Sequence, residues 1–260
     1  MPTAYAPGSV TTVFAPRDDG EGSFGVSFTV EDGVGATVEP ADETTVRLDG
    51  EPTEFEPVEG VLGSLGVSAA VSLSADVPIG CGFGASGAAT LSTALAADAA
   101  FDLGLTRDDV VEAAHRAEVA AGTGLGDVFV QDRGGLVWNT GDGRERMDRT
   151  DRVEYVSTGG IATESVLGDP ASMRKVKTAG TDALAAFDPD TPLSRWFETA
   201  WTFADRTGLP TASVRASVDR VREAGGAATM AMVGETVLAV GVDGVLERET
   251  RITPDGASLR

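Results

Sequence analysis

The stretch Val77–Thr90, VPIGCGFGASGAAT, places glycines at positions 80, 82, 84 and 87 directly ahead of a long run of small residues. Glycine at that density costs backbone entropy, so the chain must need to be bare there, to turn tightly or to let another group come close. Before it runs a strand-like segment, GVSAAVSLSADVP (66–78). After it, Ser86–Leu103 is small or apolar on every face and reads as a buried helix. The order is strand, glycine loop, helix. A helix mouth carries unpaired amides and a partial positive charge, which suits an anion, and glycines let the backbone reach phosphate oxygens without Cβ atoms in the way. Ser86 falls in the first turn, where its hydroxyl can meet a phosphate oxygen or help to hold Mg²⁺.

Several familiar sites are excluded by what the chain lacks. A Walker A loop needs a lysine after its second glycine, and the only lysines are Lys175 and Lys177. A protein-kinase site fails for the same reason. GFGASG nearly meets the dinucleotide fingerprint, but the surrounding order is not βαβ. A serine-hydrolase elbow at Ser86 would have to use His115, the one histidine, as its base. Nucleotide chemistry here must rest on backbone amides, a hydroxyl and a metal ion.

The chain has 260 residues, 42% of them hydrophobic, enough for one large domain or two closely joined subdomains. Its 41 acidic residues against 20 basic ones leave a net charge of −21. Such a field repels nucleic acid and anionic lipid. It suits a cytoplasmic protein of a high-salt habitat, where cations screen the self-repulsion; an acidic partner-binding surface is the alternative. No apolar run is long enough to span a membrane, the N-terminus shows no secretion signal, and the lone Cys81 leaves no intramolecular disulfide and fits a reducing compartment.

Along the chain, Ala4–Ala15 reads as a strand broken by a turn at Pro7-Gly8. SFGVSFTVEDGVGATVEP (23–40) and TTVRLDG (44–50) alternate and read as antiparallel strands, and the acidic DGEPTEFEPVEG (49–60) reads as loop. Thr106 opens a helix with Asp109 at capping-box spacing, and that helix stops at Gly122. A glycine loop, a short helix and a strand follow over 122–140. The polar NTGDGRERMDRTD (139–151) marks a subdomain boundary. Beyond it come a strand RVEYVST (152–158), three or four helices between Thr163 and Glu223, and a hairpin AATMAMVG/TVLAVGV (227–242). Strands, helices, helices and strands in that order indicate an α+β fold.

Three motifs in this order resemble the GHMP kinase family (galacto-, homoserine, mevalonate and phosphomevalonate kinases): APGSV (6–10), PIGCGFGASGAA (78–89) and GGAATMAMVG (225–234). The resemblance implies a two-subdomain α+β fold. Residues 1–150 would form an ATP-binding subdomain of the ribosomal protein S5 domain 2-like type, and 151–260 a C-terminal α+β subdomain. It implies ATP and Mg²⁺, with Pro78, Gly80, Gly82, Phe83, Gly84, Ala85, Ser86, Gly87 and Ala88 around the phosphates. The segment AHRAEVAAGTGLGDVFVQDRGG (114–135) is similar to one in which the catalytic aspartate precedes a Gly-Gly by seven positions. That implies Asp127 as catalytic residue, with Glu118 and Ser86 as Mg²⁺ ligands. Within the family the set is most like an archaeal branch that phosphorylates pantoate to 4-phosphopantoate on the route to coenzyme A. Homoserine, shikimate or mevalonate remain alternative acceptors, a non-catalytic ligand sensor on the same fold is a rival, and a homodimer is compatible with the pattern. One departure matters: several family members carry Lys or Arg after the first motif's Pro-Gly, where this chain has Ser9.

Plainer roles compete for the same residues. Asp127 would also serve as a helix N-cap, and Glu118 as a solvated carboxylate. His115 reads as a packing histidine and Cys81 as an apolar filler. Ser9 and Thr11 are candidate acceptor contacts. An acceptor carboxylate calls for an arginine, Arg133 or Arg144.

Overall fold

The computed structural model describes residues 1–17, 22–124, 126–141, 143–160, 170–232 and 234–260. Its first two strands, β1 (Thr3–Pro16) and β2 (Ser23–Pro40), form a long antiparallel pair. The turn expected at Pro7-Gly8 is instead a register shift inside an unbroken strand. A bulge absorbs the missing proline N–H without ending the strand.

Strand β3 (Thr45–Leu48) and the short β4 (Glu51–Pro52) are followed by helix α1 (Glu56–Ser64), where the acidic pattern had suggested only loop. Pro57 starts this helix without wasting an amide, Glu56 and Glu59 favour its positive end, and Val58, Val61 and Leu62 bury one face. The α1 crossover delivers β5 (Ala69–Ala75) parallel to β3, not antiparallel as alternation alone implied. Helix α2 (Ala85–Phe101) follows the glycine loop and is buried over most of its length, as its small residues require. Helix α3 (Arg107–Ala120) opens on the Thr106/Asp109 capping box, and α4 (Asp127–Arg133) and β6 (Leu136–Asn139) complete the segment before β7 (Arg144–Met147).

With the C-terminal β12 (Ser258–Leu259) these strands make one sheet in the order β12-β1-β2-β5-β3-β4, with β6 on the other half of β2 and β7 beyond it. A second sheet, β11-β8-β10-β9, contains β8 (Arg152–Gly160), β9 (Ala227–Met230), β10 (Gly234–Val240) and β11 (Arg248–Arg251). The expected hairpin is β9–β10, antiparallel with Val237 opposite Met230. Between β8 and β9 lie α5 (Pro170–Ala185), α6 (Leu193–Thr207) and α7 (Ala212–Glu223); the expected first helical residue, Thr163, is outside the described residues.

The chain then returns to the first sheet: Ile252 bridges Val30, and β12 (Ser258–Leu259) pairs with β1. Helices α5 and α6 pack against β1, Phe28 stacks on Phe197 at 6.2 Å, and the Trp196 indole donates to Thr12 Oγ1 at 3.0 Å. Buried apolar residues of both sheets therefore form a single cluster. Among the described residues no helix is long and apolar enough to cross a membrane.

Candidate active site

The loop from Val77 to Gly84 ends in a helix N-terminus that no side chain caps. Gly84, at φ 58°, is the N-cap of α2, and the first turn carries no acidic residue. Left-handed backbone at Gly82 (φ 91°) and Gly84 excludes most other residues, and close neighbours add a second constraint. A Cβ on Gly82 would lie 2.9 Å from the Ala231 methyl, and one on Gly234 would lie 2.1 Å from the Cys81 carbonyl. Thr236 donates to that same carbonyl at 2.6 Å, and Met232 N–H donates to Thr11 O at 2.9 Å. The first motif closes in from the other side, Ser9 N–H donating to Phe83 O at 2.8 Å. Three segments distant in sequence thus converge on one loop.

A cleft of about 640 Å³ opens over the loop, lined by Gly80, Gly82, Gly84, Ala85 and Ser86 on one wall and by Thr11, Gly124 and Asp127 nearby. His115, Trp138 and Arg144 line the same space. Asp127 is the first residue of α4 and Gly126 the N-cap, so the capping role considered for Asp127 is not the one it plays. Its carboxylate instead accepts the Ser9 hydroxyl at Oδ1, 3.0 Å away. Burial raises the Asp127 pKa, opposed by the Ser9 bond.

Glu118, one turn from the end of α3, is 2% exposed and so is not the solvated carboxylate that its helix position allowed. Ser86 and Thr90 donate to its Oε1 at 2.9 and 2.7 Å, and Thr123 to Oε2 at 2.9 Å. Burial raises its pKa; the three hydroxyls oppose that shift and the nearby Asp127 charge adds to it.

The remaining expectations divide. Ala88 N–H donates to Gly84 O within the helix at 3.0 Å, so it is committed and cannot also meet a phosphate. Phe83 is buried edge-on against Tyr155, its part in the loop being its carbonyl, and Pro78 is half-buried outside the cleft lining. Gly87 is buried against Gln131, Asp127 and Val128. Arg133 is exposed, lies outside the lining and donates to Arg144 O at 3.3 Å. Arg144 has the better position, its guanidinium 3.8 Å above the Phe129 ring at the cleft wall. His115 packs on the same ring, centroids 4.6 Å apart, as a packing histidine would, and its Nδ1 is buried with no hydrogen-bond partner. Cys81 is half-buried, its thiol 3.4 Å from Ile79 O.

Three residues of the site went unnoticed in the sequence. Thr90 lies four residues after Ser86 on α2, Gln131 four after Asp127 on α4, and Thr123 five after Glu118 in the turn after α3. The i,i+4 spacing was the available signal for two of them. The chemistry available to the set is anion binding at a helix mouth beside two carboxylates, one saturated by hydroxyls and one nearly free.

Known proteins resemble the chain in sequence and in fold. Residues 56–135 match the GHMP kinases N terminal domain. The chain is 28% identical to a pantoate kinase of Methanospirillum hungatei over 257 residues, covering 92% of this chain and 87% of that one. It is also 28% identical to a pantoate kinase of Thermococcus kodakarensis, covering 97% and 91%. A solved structure described as a phosphotransferase related to the CoA biosynthesis pathway superposes with a TM-score of 0.85 at 23% identity, covering 100% of this chain and 98% of that one. With its three motifs meeting at one helix mouth and residues 56–135 matched, the chain resembles the GHMP kinases and shares its fold with that solved phosphotransferase.

Proposed function

We propose that the protein is an ATP-dependent kinase that phosphorylates the primary hydroxyl of pantoate, giving 4-phosphopantoate for coenzyme A synthesis. The observation that carries the reading is Asp127: a carboxylate with one oxygen held by Ser9, at the wall of the cleft that also contains the uncapped mouth of α2. Support for the acceptor comes from the two pantoate kinases that the chain resembles over nearly its whole length. In this reading residues 1–150 form the ATP-binding subdomain and 151–260 the second, and the acidic surface belongs to a cytoplasmic enzyme of a high-salt archaeon.

The triphosphate lies over the first turn of α2, against the amides of Gly82 to Gly87. The oxygen donors near it suit Mg²⁺, which the Ser86 hydroxyl and the Glu118 carboxylate, 2.9 Å apart, would hold. When bound, the ion neutralises charge on the phosphates during transfer. The acceptor hydroxyl oxygen attacks the γ-phosphorus, the bond to the β-phosphate oxygen breaks, and ADP leaves. Asp127 takes the hydroxyl proton; its burial-raised basicity suits it to that task. Arg144 pairs with the acceptor carboxylate, and Thr11 contacts the acceptor from β1. Positioning and electrostatics supply most of the acceleration in this reaction class, so Ser9 in place of a basic residue shifts the load to the helix mouth and the ion.

The test is ADP release in high KCl and Mg²⁺ with pantoate, homoserine, shikimate or mevalonate as acceptor, and identification of the product by phosphorus NMR. Phosphopantoate formed at least tenfold faster than any other product is the expected result. Turnover of a different alcohol would replace the acceptor. ATP binding without turnover on any of them would leave a ligand sensor.

A further inference from the structure

The glycines at 84 and 87 are bare for a reason beyond phosphate approach. A Cβ on Gly84 would lie 2.3 Å from Ser9 Oγ and 2.8 Å from Gln131 Nε2; one on Gly87 would lie 2.8 Å from Gln131 Oε1. The loop has been cleared for a side chain of the protein itself. Gln131 is fully buried. Its Nε2 donates to Gly84 O at 2.7 Å and to Ser9 Oγ at 3.2 Å, and its main-chain carbonyl accepts Ala257 N–H at 2.8 Å.

We propose that Gln131 is a positioning residue that couples the phosphate loop to the Asp127 carboxylate through Ser9. A serine hydroxyl has one proton to give. With the Gln131 N–H occupying a lone pair of Ser9 Oγ, that proton is aimed at Asp127 Oδ1, and no described hydrogen bond engages Oδ2. Chained hydrogen bonds polarise one another, so the Ser9 donor is stronger for having Gln131 behind it. The same amide group holds the carbonyl of the α2 N-cap. The phosphate-binding end of α2 and the carboxylate are therefore set in one register by one side chain.

The amide pays for this with Gln131 Oε1, which is buried with no partner. A residue kept only for packing would not carry an orphaned acceptor when an apolar one of the same shape removes it. The retained cost points to the N–H groups as the reason for glutamine. Glu118 of α3, whose pKa the Asp127 charge helps to raise, is unchanged in the variants below.

This inference rests on the kinase reading, so the experiment separates the two. Wild type, Asp127→Asn, Gln131→Met, Ser9→Ala and the Gln131→Met/Ser9→Ala double variant are compared for kcat, KM for ATP, melting temperature and the acid limb of the kcat–pH profile. Carbon-13 titration of the Asp127 carboxyl gives a readout independent of turnover. Gln131→Met should still fold, lose about tenfold in kcat with KM for ATP within about threefold, and move both the acid limb and the Asp127 titration to higher pH. The double variant should lose less than the product of the two single losses, because Gln131 acts on Asp127 through Ser9.

Unchanged kcat and titration in Gln131→Met, or additive losses in the double variant, would overturn the coupling while leaving the kinase reading intact. If wild type is inactive on all four acceptors, or Asp127→Asn is fully active, it is the kinase reading that fails, and the Asp127 titration still decides the coupling. Should Gln131→Met not fold, Gln131→Leu takes its place; failure of both to fold would make Gln131 a structural residue and end the proposal.

Discussion

Glu118 and Asp127 face the same helix mouth, and burial raises the pKa of both, yet their surroundings differ in one respect. Three hydroxyls, two from α2 and one from the turn after α3, donate to the Glu118 oxygens, whereas Asp127 receives one, from β1. Each donor favours the charged form of a carboxylate, so the Glu118 hydroxyls oppose its burial more than the single Ser9 bond does at Asp127. A carboxylate with an open oxygen can take a proton. The difference teaches that the count of donors, and not burial, is what separates the two carboxylates.

Breaking the comparison at its reactive end should cost most. Asp127→Ala is expected to lower kcat by about 10²–10⁴, with ATP affinity measured by calorimetry largely retained. Glu118→Gln should act differently, lowering kcat by roughly 10–100-fold and raising the Mg²⁺ concentration needed for half-maximal rate, since it removes charge but keeps the shape. Equal losses and equal metal dependence in the two variants would erase the distinction drawn here. Next, Arg144→Ala is expected to raise KM for pantoate by about tenfold with little change in KM for ATP, while Arg133→Ala changes either by less than about threefold.

The smallest effect concerns stability. For a carboxyl whose folded-state pKa lies above its unfolded value, the folded state binds more protons between the two values, so stability falls as pH rises through that window and stays low above it. Asp127→Asn removes that cost and should raise the melting temperature at neutral pH by a few degrees, an advantage that fades as the pH is lowered through the window. An unchanged or lower melting temperature at neutral pH would show that the Ser9 bond outweighs burial.

The same contrast separates the two flanks of the glycine loop. At Gly82 the close neighbours are Ala231 and Gly234 from the β9–β10 hairpin; at Gly84 and Gly87 they are Ser9, Gln131 and Asp127 from the first half of the chain. One flank is braced by main chain and small side chains, the other by a polar network. The spacing of glycines announces a close approach and does not say by what.

The primary structure alone determined much of this. Only the resemblance to the GHMP kinases singled out Asp127, by its distance from the Gly-Gly; the residues themselves, in the glycine run ahead of an all-round small helix, required a buried α2 with a bare mouth, and the Thr106/Asp109 pair required a helix start. These are local signals, carried by periodicity, capping and short-range order. Others were hidden because they depend on partners far along the chain. Helix α1 is hidden by its acidic composition and stabilised by burial of three apolar residues, and β3 runs parallel to β5 only because α1 crosses between them. The turn suggested by Pro7-Gly8 became a bulge because β2 continues beside it. Tertiary structure alone decided that Arg144 and not Arg133 lines the cleft, that Glu118 is sealed by three hydroxyls, and that Gln131 reaches across more than 120 residues of chain to Ser9. A side chain's type is written in the sequence, but its donors, its burial and its direction exist only once distant segments have packed around it.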